Sequence, residues 1–326
     1  MTVESSSLVR PPVLQKGDTI GIVAPAGPVN RQEFEAGVLA LQQLGLEPVF
    51  SESIFERDLY FAGGVQRRVD ELHEMFREPE VKAVISARGG YGSNYLLPHL
   101  DLELIGKHPK ILCGYSDLTT LLTYFHDKLG FVGFHGPMVA KDFARPDGVN
   151  IKSFSFASSG QPQWSITNAD SPSLTGICEG EAEGKLYGGC LSLLVASLGT
   201  PYEIHTEGTI LFLEDLGEWP YRIDRMLMHL KYAGKLEDVR GIIFGEMLDC
   251  FPPADSGYTL QQAIRRILGG LNIPIAFGLR SGHVSAGNIT LPIGVCARIA
   301  VAQSATLEIL EAATSPRSEI IKAGQN

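Results

Sequence analysis

Residues 111–125 read ILCGYSDLTTLLTYF. The first four form a short apolar run typical of a buried strand. From Leu118 to Phe125 the apolar residues recur at i, i+3, i+4 and i+7, which predicts a helix. Ser116 lies at the junction, immediately before the helical pattern. A strand followed at once by a helix is the repeating unit of a parallel sheet that carries helices on its faces.

The same alternation of strand and helix patterns continues on both sides of this stretch. Short apolar, β-branched runs predict strands at residues 19–24, 81–87 and 131–134. Helical spacing of apolar residues predicts helices around residues 34–41 and 65–76. The sequence therefore predicts an α/β fold in which the N-terminal domain contains a parallel sheet.

Changes in the pattern divide the chain into three parts. We assign residues 14–145 to the N-terminal α/β domain and residues 184–312 to a C-terminal domain of mixed strands and helices. Between them, residues 146–183 are rich in Pro, Gly, Ser and Thr and have weak periodicity, as expected of an inter-domain connection. Residues 295–301 and 305–310 are predicted to pair as a closing hairpin.

The composition is that of a globular protein and argues against nucleic-acid and membrane partners. The 326 residues are 44% hydrophobic and 20% charged, as in globular proteins, and the formal net charge is −10. No run of Lys and Arg is present, so a nucleic-acid partner is not expected. No apolar run has the ~18 residues of a membrane span, and the polar N-terminus lacks the apolar part of a signal peptide. We expect a soluble, cytoplasmic protein with no membrane partner.

The motifs of cofactor and metal sites are missing from the sequence. The five cysteines are scattered and form no C-x-x-C pair, so they are expected to be reduced thiols. There is no H-E-x-x-H motif, no glycine-rich loop ending in G-K-[ST], and no G-x-G-x-x-G fingerprint. No cofactor and no metal are therefore expected.

Ser116 is a candidate nucleophile because of its position. Ligands of open α/β sheets bind at the carboxyl edge, where a side chain between a strand and a helix is exposed. The helix N-terminus adds free N–H groups and a partial positive charge, which suit an oxyanion. Gly114-Tyr115-Ser116 resembles a nucleophile elbow but lacks the second glycine of G-x-S-x-G. A serine that only caps the helix is the alternative.

Residues 88–92, which read RGGYG, follow the predicted strand before that of Ser116. Glycines permit the close approach of a backbone to a ligand. An N–H group of Gly89 or Gly90 could join that of Asp117 around an oxyanion. A tight turn that merely requires glycine would leave the same pattern.

An acid and a histidine could complete a serine nucleophile. Glu214 ends the predicted strand 209–214 and Asp215 follows it, and a carboxylate there could orient an imidazole. His283 follows Gly282 just after another predicted strand, in a turn that could reach a cleft. His135 also follows a strand and remains a competing candidate for the base.

Six segments carry a resemblance to a known family. They read GDTIGIVAP at 17–25, ARGGYG at 87–92, GYSD at 114–117, LED at 213–215, PYRIDRML at 220–227 and GH at 282–283. In this order, the chain resembles the LD-carboxypeptidases, also called muramoyltetrapeptide carboxypeptidases, a family of serine peptidases. The likeness extends over nearly the whole chain, which makes it more specific than any single motif.

The resemblance implies a flavodoxin-like N-terminal domain and a smaller C-terminal domain of the swivelling β/β/α kind. It also implies a catalytic triad of Ser116, His283 and Glu214, assembled across the domain interface. Family members are commonly homodimers, so a homodimer is expected here.

The activity implied by the resemblance is the release of terminal D-alanine from murein tetrapeptides during peptidoglycan recycling, through an acyl-enzyme. The residue before D-alanine could be L-lysine or meso-diaminopimelate. The free carboxylate of such a small peptide substrate needs a cationic partner. Arg88 is the first candidate, before Arg222 and Arg225, because a guanidinium matches a carboxylate bidentately.

Two other functions are compatible with the sequence. The microcin C immunity peptidase belongs to the same superfamily and cleaves a peptide or aminoacyl-nucleotide amide. A catalytically silent two-domain protein that binds a small ligand or peptide would share the fold class.

Overall fold

A computed structural model of the protein describes residues 8–317, which form fourteen strands and eight α-helices. The strands are β1 (Thr19–Val23), β2 (Glu47–Val49), β3 (Val81–Ser86), β4 (Ile111–Gly114), β5 (Gly133–His135), β6 (Trp164–Ile166), β7 (Thr175–Cys178), β8 (Gly180–Cys190), β9 (Thr209–Glu214), β10 (Gly241–Gly245), β11 (Ile275–Leu279), β12 (Leu291–Ile293), β13 (Cys296–Val301) and β14 (Ala305–Ile309). The helices are α1 (Arg31–Gln43), α2 (Val65–Arg77), α3 (Leu102–Lys107), α4 (Thr119–Leu129), α5 (Ile151–Ser158), α6 (Leu191–Ala196), α7 (Pro220–Tyr232) and α8 (Leu260–Leu268).

The first sheet has the order β12-β5-β4-β3-β1-β2. Strands β1 to β5 are all parallel, and their order, 2-1-3-4-5, is that of flavodoxin-like doubly wound sheets. Strands β1, β3, β4 and β5 are buried along nearly their whole length, because helices cover both faces, whereas the edge strand β2 is largely exposed. Helix α2 packs on one face through Leu72, Met75 and Phe76. The predicted α/β fold with a parallel-sheet N-terminal domain is confirmed.

The second sheet has the order β6-β14-β13-β8-β9-β10-β11-β7 and forms the C-terminal domain. Its four central strands, β8 to β11, are parallel, and the strands outside them are antiparallel. The predicted closing hairpin is present, since β13 pairs with β14 from Ala297 opposite Ile309 to Val301 opposite Ala305.

Two stretches differ from the pattern seen in the sequence. Residues 146–183, interpreted as a connection, contain α5 and the two edge strands of the second sheet, β6 and β7. Strand β12, within the predicted C-terminal domain, pairs antiparallel with β5 of the first sheet. The chain therefore returns to the first sheet before it forms β13.

The two sheets meet near their functional edges. Phe134 of the first sheet and Phe212 of the second belong to one continuous apolar core. At the end of β8, the backbone N–H of Cys190 donates to Thr119 Oγ1 at the start of α4, at 3.0 Å. The carboxyl ends of the central strands of both sheets therefore face a common region. Among residues 8–317, no helix is long and apolar enough to cross a membrane.

Candidate active site

Ser116 lies in a strained turn between β4 and α4. Its φ is +61°, in the left-handed region that residues other than glycine rarely adopt, and a short 3₁₀ turn, Ser116–Leu118, leads directly into α4. Such strain is concentrated at functional sites, where the surrounding structure stabilises it. The half-buried serine has the conformation expected of a nucleophile elbow, although the sequence lacks the second glycine of that motif.

Gly89, in the loop after β3, packs directly against this turn. A Cβ atom at Gly89 would lie 2.8 Å from Ser116 Cβ and 2.9 Å from Ser116 Oγ, closer than any side chain tolerates. The same position is 3.7 Å from the backbone nitrogen of Asp117. The structure therefore brings together Ser116, the Asp117 backbone and the glycine-rich loop that the sequence analysis singled out.

Gly90 is exposed, with a φ of +119°. The preceding carbonyl, that of Gly89, accepts a hydrogen bond from the N–H of Gly27 at 3.1 Å. In a trans peptide the N–H points opposite to the C=O, so the N–H of Gly90 points away from Gly27.

The side chain of Asp117 has a structural role that is separate from that of its backbone N–H. The carboxylate is fully buried, and its Oδ2 accepts from the N–H of Ser93 at 2.7 Å. Burial raises the pKa of Asp117, against the opposing effects of the Ser93 and Gly92 donors and of Arg68. This carboxylate joins the Ser116 turn to the end of the glycine-rich loop.

Arg68 of α2 is a buried residue that sequence reasoning missed. Its Nη1 donates to the carbonyls of Pro25 and Gly92, at 2.8 and 2.9 Å. It thereby ties the loop after β1 to the loop after β3. In the sequence, Arg68 stands in a helix with many charged residues and gives no signal of this role.

Glu214, at the end of β9, is fully buried and bonded to His283. Its Oε2 lies 2.8 Å from His283 Nδ1 and also accepts from the backbone N–H of His283, at 3.0 Å. Gly282 makes this approach possible, since a Cβ atom there would lie 2.6 Å from Glu214 Cδ. The acid and the histidine identified as candidates in the sequence therefore form a pair.

The pair is strongly coupled. Burial alone would raise the pKa of Glu214, but the facing His283 and His135 outweigh it and hold that pKa well below its usual range. Burial alone would lower the pKa of His283, but the Glu214 carboxylate outweighs it and raises that pKa above the ordinary imidazole value. The arrangement stabilises an imidazolium, which is what a general base becomes after it takes a proton.

The loop that carries His283 is anchored on both sides. The N–H of Gly282 donates to Asn288 Oδ1 at 3.0 Å. Glu246, after β10, accepts from the N–H of Ser285 at 2.9 Å and from Arg280 Nε at 2.8 Å. Glu246 was missed, although an acid directly after a buried strand is the same signal that identified Glu214.

His283 lies next to the Ser116 turn. Its ring meets the ring of Tyr115, the residue before Ser116, edge to face with centroids 5.1 Å apart. In the described part of the chain, the hydrogen bonds of His283 go to Glu214 and none joins it to Ser116 Oγ. Catalytic hydrogen bonds often shorten only when substrate binds, so this geometry is compatible with a serine–histidine pair.

His135, the competing candidate for the base, lies on the other side of Glu214. It is fully buried at the end of β5, with Nδ1 3.0 Å from Ser281 Oγ and Nε2 3.8 Å from Glu214 Oε1. A ring without exposed surface has no access to a substrate carbonyl, so this position does not suit a general base.

The three candidate arginines lie at different places. Arg88 is exposed beside Gly89, and its Nη1 donates to the carbonyl of Pro28 at 3.1 Å. Arg222 and Arg225 are exposed on α7, where Arg222 pairs with Glu218 at 3.4 Å and Arg225 lies over the ring of Tyr221. Of the three, Arg88 belongs to the loop that contacts the Ser116 turn.

Comparison with known proteins identifies the family. Residues 20–136 match the model of the LD-carboxypeptidase N-terminal domain, and residues 183–299 match that of the LD-carboxypeptidase C-terminal domain. The probable murein peptide carboxypeptidase of Bacillus subtilis is 40% identical over 308 residues, which cover 94% of this chain and 95% of that protein.

Two further proteins are similar in sequence and structure. The microcin C7 self-immunity protein MccF of Escherichia coli is 31% identical over 90% of this chain and 94% of its own length, and a solved structure of MccF superposes with a TM-score of 0.87. That structure is 28% identical and the match covers 94% of this chain and all of the other. The muramoyltetrapeptide carboxypeptidase of Oxalobacter formigenes superposes with a TM-score of 0.79 at 30% identity, over 92% of this chain and all of its own.

Both domains are thus matched in order, by family models and by relatives that cover nearly the whole chain. The chain belongs to the LD-carboxypeptidase family of serine peptidases.

Proposed function

We propose that the protein is a serine carboxypeptidase that hydrolyses the L,D-amide bond of murein tetrapeptides and releases terminal D-alanine. The observation that carries the proposal is the pair of the buried Glu214 and the half-buried His283, whose ring lies against Tyr115 and beside the strained Ser116 turn. The relatives from Bacillus subtilis and Oxalobacter formigenes support the choice of substrate by their names.

The proposed mechanism assigns one role to each member of a triad. His283 Nδ1 is bonded to Glu214, which leaves Nε2 to take the proton of Ser116 as Oγ attacks the scissile carbonyl. Glu214 holds the ring and stabilises the imidazolium. His283 then protonates the leaving nitrogen of D-alanine, and water hydrolyses the acyl-enzyme with His283 again as base.

The oxyanion of the tetrahedral intermediate would be held by two backbone N–H groups. The N–H of Asp117 follows the nucleophile, as in other strand–turn–helix nucleophile sites. We assign the second donor to Gly90, because its N–H points away from Gly27 while the Gly89 Cα faces Ser116 Oγ. Loss of one such donor would lower kcat by roughly 10²–10³-fold.

Release of a terminal residue requires recognition of its free carboxylate. Arg88 is our candidate, since its exposed guanidinium stands in the loop that contacts Ser116. Replacement by Lys would keep the charge but lose the bidentate geometry, so Arg88→Lys is expected to raise KM more than it lowers kcat.

A second candidate function is the cleavage of an aminoacyl-nucleotide or peptide amide, as in microcin C immunity. The similarity of the fold to MccF favours it. A third candidate function is the non-catalytic binding of a small ligand or peptide. In that case an active-site-directed fluorophosphonate would leave Ser116 unlabelled.

The decisive experiment compares wild type and Ser116→Ala on L-Ala-D-Glu-meso-diaminopimelyl-D-Ala, its L-lysine counterpart, and an aminoacyl-nucleotide amide. We expect D-alanine release by wild type alone. If wild type cleaves only the nucleotide amide, the murein assignment fails and the second candidate replaces it. Equal release by both proteins would remove Ser116 from the mechanism.

We further propose that the protein works in the cytoplasm, in peptidoglycan recycling, as a homodimer. All five cysteines are free thiols, in keeping with a reducing compartment. Fractionation of cells would test the location, and sedimentation of the purified protein would test the homodimer, which a monomeric, active protein would contradict.

A further inference from the structure

His135 connects the first sheet to both elements that carry the acid and the histidine. It ends β5 of the first sheet, whereas Glu214 ends β9 and Ser281 follows β11, both in the second sheet. Its Nδ1 lies 3.0 Å from Ser281 Oγ, two residues before His283, and its Nε2 faces Glu214 Oε1. One buried side chain thus contacts the acid and also the loop of the base.

Two atoms in this contact lack partners. Within residues 8–317, His135 Nε2 and Glu214 Oε1 are both buried without a hydrogen bond, and they lie 3.8 Å apart. Buried polar atoms are almost always paired, so this gap needs an explanation. A bridging water would hold the two atoms about 4.5 Å apart, which is more than the space available. A direct bond requires them to approach by only about 1 Å.

The proton positions follow from the chemistry of the partners. The Glu214 carboxylate can only accept, so His135 must present Nε2–H to it. A neutral His135 then has an acceptor at Nδ1, which takes the hydroxyl proton of Ser281. Ser281 therefore selects the tautomer of His135 that can donate to Glu214.

We propose that His135 is a positioning residue, whose Nε2–H donates to Glu214 Oε1 in the folded protein with or without substrate. Glu214 then has one oxygen held by His135 and the other by His283. The carboxylate is fixed in the plane that aligns the base, and the bond joins β5 of the first sheet to β9 of the second. The inference rests on the proposed function, and it adds a residue outside the triad.

The charged and titratable groups around the Glu214–His283 pair come from several elements. Asp215 follows Glu214, Asp142 and Tyr115 face the pair from the first domain, and Cys190 lies at the end of β8. None of these is changed in the variants below, so a shift in the titration of His283 reports on His135 itself.

The test compares His135→Leu, which removes the donor, with His135→Gln, whose amide nitrogen can replace Nε2–H. The donor partly offsets the negative charge of Glu214, and that charge favours the protonated form of His283. In the Leu variant this donor is lost, so the pKa of His283 should rise. The Gln variant should restore it towards the wild-type value. NMR titration of the His283 ring, assigned with His283→Gln, measures this without any substrate. The exposed His99→Gln is the matched control.

The activity gives a second readout. Loss of one buried hydrogen bond should lower the pH-independent kcat/KM roughly 10-fold in His135→Leu, with partial recovery in His135→Gln. Equal titration of His283 in wild type and both variants would overturn the inference, as would equal effects of Leu and Gln. If His135→Leu does not fold, Ser281→Ala, which frees the tautomer, must shift the same titration in the same direction. Because the titration needs no turnover, failure of the murein assay would not be mistaken for failure of this inference.

Discussion

Glu214 Oε2 accepts two hydrogen bonds from one residue, from the ring Nδ1 of His283 at 2.8 Å and from its backbone N–H at 3.0 Å. The first bond orients the imidazole, and the second fixes the position of the loop that carries it. The carboxylate therefore sets both the charge and the location of the proposed base.

Glu214→Gln should separate the charge from the geometry. The base must be neutral to accept a proton, and the pKa of His283 is raised, so wild-type kcat/KM should fall as the pH drops through a value above the ordinary 6.5. Gln lacks the charge that raises this pKa, so the acidic limb should move to lower pH. The maximal kcat should fall by roughly 10²–10⁴-fold because the tautomer is no longer fixed.

The pH profile of D-alanine release measures both effects. The exposed Glu47→Gln is a suitable control, since that residue lies at the edge of the first sheet and should leave the profile unchanged. An acidic limb at the same pH in Glu214→Gln and wild type would contradict the electrostatic argument.

Ser116→Gly should be more stable than Ser116→Ala. Both variants lack the hydroxyl, so both should be inactive, but only glycine adopts a φ of +61° without strain. The free energy of unfolding is expected to be about 1 kcal/mol higher for Gly than for Ala. Urea denaturation of the two variants provides the comparison, and a more stable Ala variant would mean that the turn relaxes when the serine is removed.

Gly89→Ala tests the contact between the glycine-rich loop and the nucleophile. The new methyl group would collide with Ser116 Cβ and Oγ, so the serine or the loop must move. Misplacement by about 1 Å is expected to lower kcat/KM roughly 100-fold. Gly270→Ala is the matched control, because nothing lies within 4 Å of a Cβ atom there.

Initial rates and thermal melts of both glycine variants distinguish a local effect from unfolding. We expect Gly89→Ala to melt cooperatively with reduced activity and Gly270→Ala to behave as wild type. Full activity of Gly89→Ala would remove the loop from the proposed oxyanion site.

The sequence predicted the features that are encoded locally. The apolar spacing after Ser116 gave α4, and the short β-branched runs gave the central strands of the first sheet. Acids and histidines directly after strands pointed to the edge where Glu214 and His283 meet. These predictions succeed because periodicity and strand ends are properties of a few neighbouring residues.

The features that the sequence did not predict depend on contacts between distant segments. Strand β12 has only three residues, and its pairing with β5 joins positions more than 150 residues apart along the chain. Arg68 looks like any charged helical residue, yet it is buried and holds two loops. His135 follows a strand and so looked like a candidate base. The sequence does not reveal that it is buried against Glu214, because that contact is made with the second sheet. Such pairings need the packed structure, since no local pattern encodes them.

Asp142 should make the stability of the protein depend on pH. It is buried beneath the site, where burial raises its pKa to about 6 despite the N–H of Met138, which donates to Oδ2 at 2.9 Å. An acid with a raised folded-state pKa is bound to its proton more tightly in the folded than in the unfolded state. Its contribution to stability is therefore lost as the pH rises from about 4 to above 6.

Asp142→Asn removes the charge but keeps an oxygen that can accept from Met138. We expect it to match wild type near pH 4 and to gain on the order of 1–3 kcal/mol in the free energy of unfolding, relative to wild type, at pH 8. Urea denaturation at the two pH values measures the difference, with the exposed Asp147→Asn as the control from the same segment. The gain should appear only for Asp142 and only at the higher pH, because it arises from a carboxylate that ionises inside the protein. A gain that is equal at both pH values would instead mean that the amide packs better than the acid, and ionisation would have no part in it.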